Sequence, residues 1–230
     1  MKIGISMIAG DMMHTWTAYD LIHIVNYTSE ALGHDVILNR GEGTLLHAAR
    51  QDACKRLVDK GCDYIFVIDS DMRVPVNTIQ GLMAHDVPVV AANCSKRKRP
   101  VGPTARRKNA WLHMDEHATE AVFPDPDVTG IELVETVGFG VILIKAEVFK
   151  KIEWPWFDQP WVEEAQKHVG EDTFFCGRCH EAGIPIYIDH DLSWVVKHTG
   201  LHDYGAHDIV AERDHDMRVE APPQPDFAGV

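Results

Sequence analysis

The sequence predicts one α/β domain built on an open, twisted, mostly parallel sheet flanked by helices, a Rossmann-like arrangement. Three observations lead there. The chain has 230 residues, 45% of them hydrophobic, enough for one sizeable core. Up to Ala92 it alternates short apolar runs with amphipathic stretches, in the order strand, helix, strand, helix, strand, helix, strand. One run, DYIFVI at 63–68, is continuously apolar and β-branched or aromatic, as a strand buried on both faces must be.

KIGISMI opens the chain, with Ile3, Ile5 and Met7 alternating with small residues before Ala9-Gly10, and reads as the first strand. Residues 17–32 place Leu21, Ile24, Val25 and Thr28 at helical spacing and stop at Gly33. A second short strand at 34–38 runs through Arg40-Gly41-Glu42-Gly43 to Thr44, whose hydroxyl can cap a helix carrying Leu45, Ala48, Ala49, Ala53 and Leu57. Gly61 ends that helix, and the strand at 63–68 then delivers Asp69-Ser70-Asp71 at its carboxyl end. Pro75 can begin a third helix through Leu82, and 87–92 is another buried strand. Right-handed crossovers between parallel strands put the ligand crevice beyond their carboxyl ends.

The second half predicts a basic loop, a turn-rich stretch around Phe123-Pro124-Asp125-Pro126, a strand pair within 131–144 and a turn at 154–157. Gly170-Glu171-Asp172 opens an amphipathic helix to Ala182, and strands follow at 184–188 and 192–196. The domain is placed at 1–217, with a flexible tail containing Pro222, Pro223 and Pro225 at 218–230.

No apolar run approaches the roughly 20 residues that span a bilayer, and MKIGISMIAGDMMH has no export-signal pattern. A cytoplasmic protein without a membrane partner is expected. Five cysteines, an odd number scattered through helices and strands, point to reduced, buried thiols rather than a disulfide framework. The net charge of −13 repels anionic polymers as a whole. Yet seven of the 22 basic residues gather in Lys96-Arg97-Lys98-Arg99 and Arg106-Arg107-Lys108.

Asp69 and Asp71 stand at i and i+2 at the end of a buried strand, so both carboxylates can face one side of a crevice. There they would bind Mg²⁺ or Mn²⁺, hard cations that share their shell with phosphate oxygens. The same tripeptide also ends strands in ordinary solvated turns. Cys176-Gly177-Arg178-Cys179-His180 matches the pattern of covalent haem attachment, but it lies in a helix whose Phe175, Cys179 and Ala182 form an apolar stripe, so core packing accounts for it.

Four segments in order, DYIFVIDSDM, VGFGVILIKAEVF, GEDTFFCGRCHEAGIPIYIDH and VVKHTG, resemble GT-A fold glycosyltransferases, especially compact family-2-like members of phages and bacteria. The resemblance runs from Lys2 to about Gly200. It implies a nucleotide-sugar donor, more often UDP-linked, held at Asp69-Ser70-Asp71 with Mn²⁺ or Mg²⁺. Asp71 would coordinate the metal that bridges the diphosphate, Asp69 would contact the ribose or the metal's water shell, and His198 in KHTG would complete the metal site. Asp172 would be the general base of an inverting enzyme, with Glu171 positioning the acceptor or holding the loop. Both acids would also favour the positive end of the helix they start.

By the same resemblance Ser6, Met7, Arg40 and Arg50 would line the nucleotide pocket. Arg50 is a candidate bidentate partner for the diphosphate; otherwise it is a solvated helix residue paired with a nearby acid. Gly138-Phe139-Gly140 would lie beside the donor sugar, where missing side chains let the sugar approach the backbone. The basic loop at 96–108 reads in three ways: a solvated segment, a cover over the diphosphate, or a contact for an anionic acceptor such as DNA with hydroxymethylated pyrimidines. Two other functions fit a D-x-D at a strand end. One is a nucleotide-sugar-binding module without catalysis. The other is a haloacid dehalogenase-type phosphohydrolase, which Arg73, in place of the usual Thr or Val, and the third-strand position of the motif argue against.

Overall fold

The computed structural model describes residues 1–10, 12–109, 119–163, 166–200 and 203–220. The first half follows the expected alternation. β1 (Lys2–Ile8) buries Ile3, Ile5 and Ile8, and α1 (Thr15–Asn26) buries Thr17, Leu21 and Ile24 before a π-helical turn at Tyr27–Ala31. β2 (Asp35–Gly41) leads to α2 (Leu46–Asp59), whose buried face includes Ala49, Arg50, Ala53, Cys54 and Leu57. β3 (Tyr64–Asp69) is fully buried from Ile65 to Ile68. Short β4 (Met72–Arg73), α3 (Thr78–Ala84) and β5 (Val89–Ala92) follow.

The second half holds β6 (Arg106–Lys108), β7 (Glu120–Ala121), β8 (Ile131–Val134), β9 (Val141–Lys145) and α4 (Val148–Lys151). Next come β10 (Trp161–Val162), β11 (Lys167–His168), α5 (Glu171–Glu181), β12 (Ile186–Asp189) and α6 (His190–Val195). β13 (Lys197–Thr199), β14 (Asp203–Tyr204) and α7 (Ala206–Glu220) are the last elements.

Seven strands form the central sheet in the order β2-β1-β3-β9-β5-β12-β8. Five run in one direction; β9 and β8 run against them. Alternation along β3 divides the core. Ile65 and Val67 face a cluster shared with Phe139, Phe157 and Phe175, while Phe66 and Ile68 face one shared with Leu21, Ile24 and Leu82. Phe175 stands at the centre of the first, 5.0 Å from Phe139 and 5.1 Å from Phe157 between ring centroids. Burying each such ring contributes about 1.5–3 kcal/mol.

The position of β9 matters most for the crevice. It pairs antiparallel with both β3 and β5, with Ile68 opposite Val141. Its leading turn therefore arrives beside the end of β3, where the Asp69 amide donates to the Gly140 carbonyl at 3.1 Å.

Several expectations need correction. Residues 131–134 and 141–145 are strands but not a pair, since β8 joins β12 at the sheet edge. The strand expected at 192–196 is helix α6, because Asp189 caps it by accepting from the Leu192 amide at 2.8 Å; strand begins only at Lys197. Thr44 makes no cap, as α2 starts at Leu46 behind Leu45. Pro75 lies three residues before α3, its carbonyl accepting from the Thr78 hydroxyl at 2.6 Å. Ala182 is exposed, so the apolar stripe of α5 is Phe175, Cys176 and Cys179. α7 continues through 218–220, beyond the expected domain end, and residues 221–230 of the expected tail lie outside the described residues.

All five cysteines are free and buried. Burial pushes the Cys176 thiol up to about 12 and raises Cys179 as well, which makes both poor nucleophiles or ligands and agrees with a packing role. Among the described residues no helix is long and apolar enough to cross a membrane.

Candidate active site

Parallel β1 and β3 end together, Ile8 opposite Asp69, and the Ser70 amide donates to the Ile8 carbonyl at 3.1 Å. The chain then turns through Asp71 into β4, which pairs antiparallel with β13 and sets His198 opposite Met72. The Thr199 amide donates to the Asp71 carbonyl at 2.7 Å, fixing the two segments together. The outcome is an imidazole facing a carboxylate, with His198 Nε2 3.3 Å from Asp71 Oδ2.

The other ring nitrogen decides what that contact means. His198 Nδ1 lies 2.8 Å from the Ser95 carbonyl, which can only accept, so Nδ1 carries a proton. With Nδ1 so engaged, Nε2 is the nitrogen turned to the carboxylate: protonated, it donates to Asp71, and in the neutral ring its lone pair meets the carboxylate favourably only with a cation between them. Arg97 approaches the same Oδ2 at 3.1 Å. Burial alone would raise the Asp71 carboxyl, but His198 and then Arg97 outweigh it and hold it below the usual aspartate range.

Asp69 faces the other way. Its Oδ1 accepts from Arg50 Nη2 at 2.8 Å, while Arg50 Nη1 donates to Glu171 Oε1. Arg50 is only 3% exposed and its guanidinium lies 5.3 Å from the centre of the Phe139 ring. Burial works against its charge, yet Asp69, Glu171 and Asp172 overcome that and raise its pKa. Burial also pushes the Asp69 carboxyl above its ordinary value, in spite of Arg50. Glu171 Oε2 accepts from Gln159 Nε2 at 3.0 Å, so both of its oxygens are bonded.

Asp172 begins α5 beside Glu171, and its Oδ1 accepts from the Thr173 amide at 2.7 Å. Burial first, and Glu171 second, push its carboxyl above the usual aspartate range.

These residues border two adjoining hollows. One, about 390 Å³, is lined by Ile8, Gly10, Thr44, Ser70 and Asp71 among others. The other, about 420 Å³, is lined by Arg50, Lys96, Phe139, Glu171 and Asp172 among others. Leu46, Asp69, Arg97 and His198 border both, so they form one cleft with the aspartates at its waist.

No protein-family model matches the chain, and no curated protein matches it in sequence. Solved structures do match in fold. A197 from STIV superposes with a TM-score of 0.53 at 14% identity, over 87% of this chain and 86% of that one. GalNAc-T7 with UDP, GalNAc and Mn²⁺ gives a TM-score of 0.54 at 13% identity, over 100% of this chain and 46% of that one. This chain has a GT-A-like fold. A Drosophila β-1,4-galactosyltransferase 7 mutant, in complex with manganese, UDP-Gal and xylobiose, scores 0.48 at 16% identity, over 98% of this chain and 77% of that one.

Within the GT-A-like fold the expected site residues separate into two sets. Asp69, Ser70, Asp71, His198, Gly138, Phe139, Gly140, Arg50, Glu171 and Asp172 all border the cleft. Ser6, Met7 and Arg40 do not. Ser6 is fully buried beside Cys54, Met7 packs on the core, and the Arg40 guanidinium pairs with Glu42 at 3.1 Å. Parallel alternation explains this: the cleft opens at the strand ends, past residues 6 and 7.

Arg50 is not solvated, and each of its terminal nitrogens already donates to an acid, Nη1 to Glu171 and Nη2 to Asp69. A Cβ on Gly138 would come within 2.9 Å of Thr104, and one on Gly140 within 3.1 Å of Cys94 Sγ, so close packing requires both glycines. Among the described residues no cluster of three or more His, Cys, Asp or Glu side chains could hold a metal; Asp71 and His198 are brought together, while Asp69 is engaged by Arg50.

Two residues of the site, Ser95 and Gln159, were not singled out from the sequence, and Arg97 was named only as part of the basic loop. Ser95 orients His198, Gln159 anchors Glu171, and Arg97 pairs with Asp71. Only Arg97 carried a signal, through the density of basic residues around it.

Proposed function

We propose that this chain is a metal-dependent glycosyltransferase that moves a sugar from a nucleotide-sugar, UDP-linked by preference, to an acceptor hydroxyl with inversion. The observation that carries the reading is the His198–Asp71 contact. A ring nitrogen whose partner is fixed on a backbone carbonyl, aimed at a carboxylate in a cleft, is the usual arrangement of a metal-bound histidine. Asp71 Oδ2 and His198 Nε2 supply two donors, and phosphate oxygens and water suit the remaining positions. A mixed nitrogen and oxygen set fits Mn²⁺ better than Mg²⁺, which strongly prefers oxygen. A cation bound there would neutralise charge on the leaving diphosphate.

The protein's own residues do the rest. Asp172 accepts the proton of the acceptor hydroxyl as that oxygen bonds to the anomeric carbon. The bond from that carbon to the diphosphate oxygen breaks, and its electron pair leaves with the diphosphate. An aspartate with a raised pKa is a stronger base than an ordinary one, and burial beside Glu171 supplies the rise. Glu171, with Gln159 on one oxygen and Arg50 on the other, holds the start of α5 rather than reacting. Arg97, Lys96 and Lys98 overhang the cleft from the basic loop and fit the charge of a diphosphate.

The phosphohydrolase alternative needs Asp69 as a free nucleophile, and Arg50 occupies one of its oxygens. Nucleotide release from a panel of UDP- and GDP-sugars, with Mn²⁺ or with a chelator, tests the reading. One donor should release nucleotide only with metal; binding of a donor without release in any acceptor mixture would make the chain a binding module instead.

A further inference from the structure

The basic loop also walls a second groove, about 440 Å³, whose lining does not include the D-x-D aspartates. Lys96 and Lys98 border both this groove and the hollow that holds Asp172, so the two are continuous across those side chains.

The cations of the loop divide into two groups. Arg97 pairs with Asp71, Arg99 with Glu212, and Arg107 with Glu132 and Glu120. Among the described residues no carboxylate pairs with Lys96, Lys98, Arg106 or Lys108, and the first three of these line the groove. The acid in the lining, Glu212, is already matched by Arg99. Burial, then Arg106 and Lys98, hold the Lys96 ammonium below the usual lysine range. Like charges gathered at one spot in a chain of net charge −13 repel one another, and a bound anion relieves that repulsion.

The number of charges and the floor of the groove narrow the choice of anion. A carboxylate brings one negative charge, whereas a phosphate monoester brings close to two at neutral pH. The floor is apolar, with Val101, Pro103 and Ala121 leading to Phe123, whose side chain is 42% exposed. A bare phosphate would leave that ring in water. A planar base covers it, and base-on-aromatic stacking is worth about 1–3 kcal/mol. The groove volume also lies within the usual range for small-molecule sites.

We propose that this groove is an acceptor subsite for a nucleotide unit, its phosphate on Lys96, Lys98 and Arg106 and its base against Phe123. A hydroxyl of that unit then reaches Asp172 across the Lys96 and Lys98 edge. The role as acceptor subsite rests on the transferase reading; the binding of a nucleotide phosphate does not.

The test is calorimetric titration of thymidine 5′-monophosphate, and separately decyl phosphate, into the full chain and into Arg106→Ala and Phe123→Ala. UDP with Mn²⁺ is titrated into all three proteins as the donor-site control. Both substituted side chains reach solvent and line only the groove, and melting curves verify folding. Thymidine monophosphate should bind the parent chain, and each substitution should weaken it about tenfold while leaving UDP unchanged. Unchanged thymidine monophosphate affinity in both variants, or none in the parent, would overturn the proposal. Decyl phosphate binding as tightly as the nucleotide would overturn the base-stacking half. Failure of UDP with Mn²⁺ to bind any of the three would count against the transferase reading alone, since the nucleotide comparison stands without it.

Discussion

Arg50 on α2 bonds Glu171 at the start of α5, 121 residues further along the chain, and holds Asp69 at the end of β3 with its other terminal nitrogen. One buried guanidinium thus ties the Asp69–Asp71 turn to the residue just before the proposed base. Removing it leaves buried Glu171 and partly exposed Asp69 without the cation they share. Arg50→Met should destabilise the fold by about 3 kcal/mol, the low end for a broken buried pair because Asp69 is partly open to cleft water. Arg50→Lys should recover little of this, since an ammonium cannot span both acids as a planar fork does. Urea denaturation of the three proteins measures both.

Asp172 couples stability to activity. Its folded pKa is raised, so the folded state favours its protonated form; that contribution is full below the ordinary aspartate value and is lost as pH rises through the folded pKa. Asp172→Asn should therefore raise Tm at neutral pH. The same change should lower kcat by about 10²–10⁴. In the parent chain kcat/KM should fall on the acid side at a pH above the ordinary aspartate range. A variant that melts lower and retains activity would remove Asp172 from the mechanism.

Gly138 is a packing constraint on the basic loop. A methyl there meets the branched Cβ of Thr104 at 2.9 Å, and the Thr104 amide donates hydrogen bonds to Asn93 Oδ1 and the Cys94 carbonyl. Gly138→Ala should cost about 1–3 kcal/mol and weaken donor binding by shifting Lys96 and Arg97. Gly140→Ala should cost less, because one neighbour is the flexible Met72 thioether. Thermal melts of the pair give the order.

The sequence made the parallel half of the sheet legible because each strand there is flanked by a helix whose apolar spacing differs from its own. β9 could not be placed. A buried run such as VILIK reads the same in either direction, and its insertion between β3 and β5 depends on tertiary packing. The D-x-D, the glycine turn, the Glu171–Asp172 pair and His198 could be placed beside one cleft from sequence because each sits at a strand or helix end. Ser6 and Met7 lie off the cleft because they precede the strand end, Ser6 inside the core and Met7 against it, and Arg40 turns to Glu42. The Asp189 cap was present in the sequence as Asp-His-Asp, and the β-branched run after it obscured the helix. Arg50 read as a diphosphate partner or a solvated helix residue paired with a nearby acid, and its burial between two acids was hidden because they lie 19 and 121 residues away in sequence.

The central claim is that Asp71 and His198 hold the cation that carries the donor's diphosphate. Calorimetric titration of UDP into the parent chain and into His198→Ala, each with Mn²⁺ and with a chelator, tests it most directly. The parent should bind UDP only with Mn²⁺, and His198→Ala should lose at least about tenfold of that affinity while melting as a folded protein. Equal UDP binding with and without Mn²⁺ in the parent, or undiminished Mn²⁺-dependent binding in His198→Ala, would contradict the account.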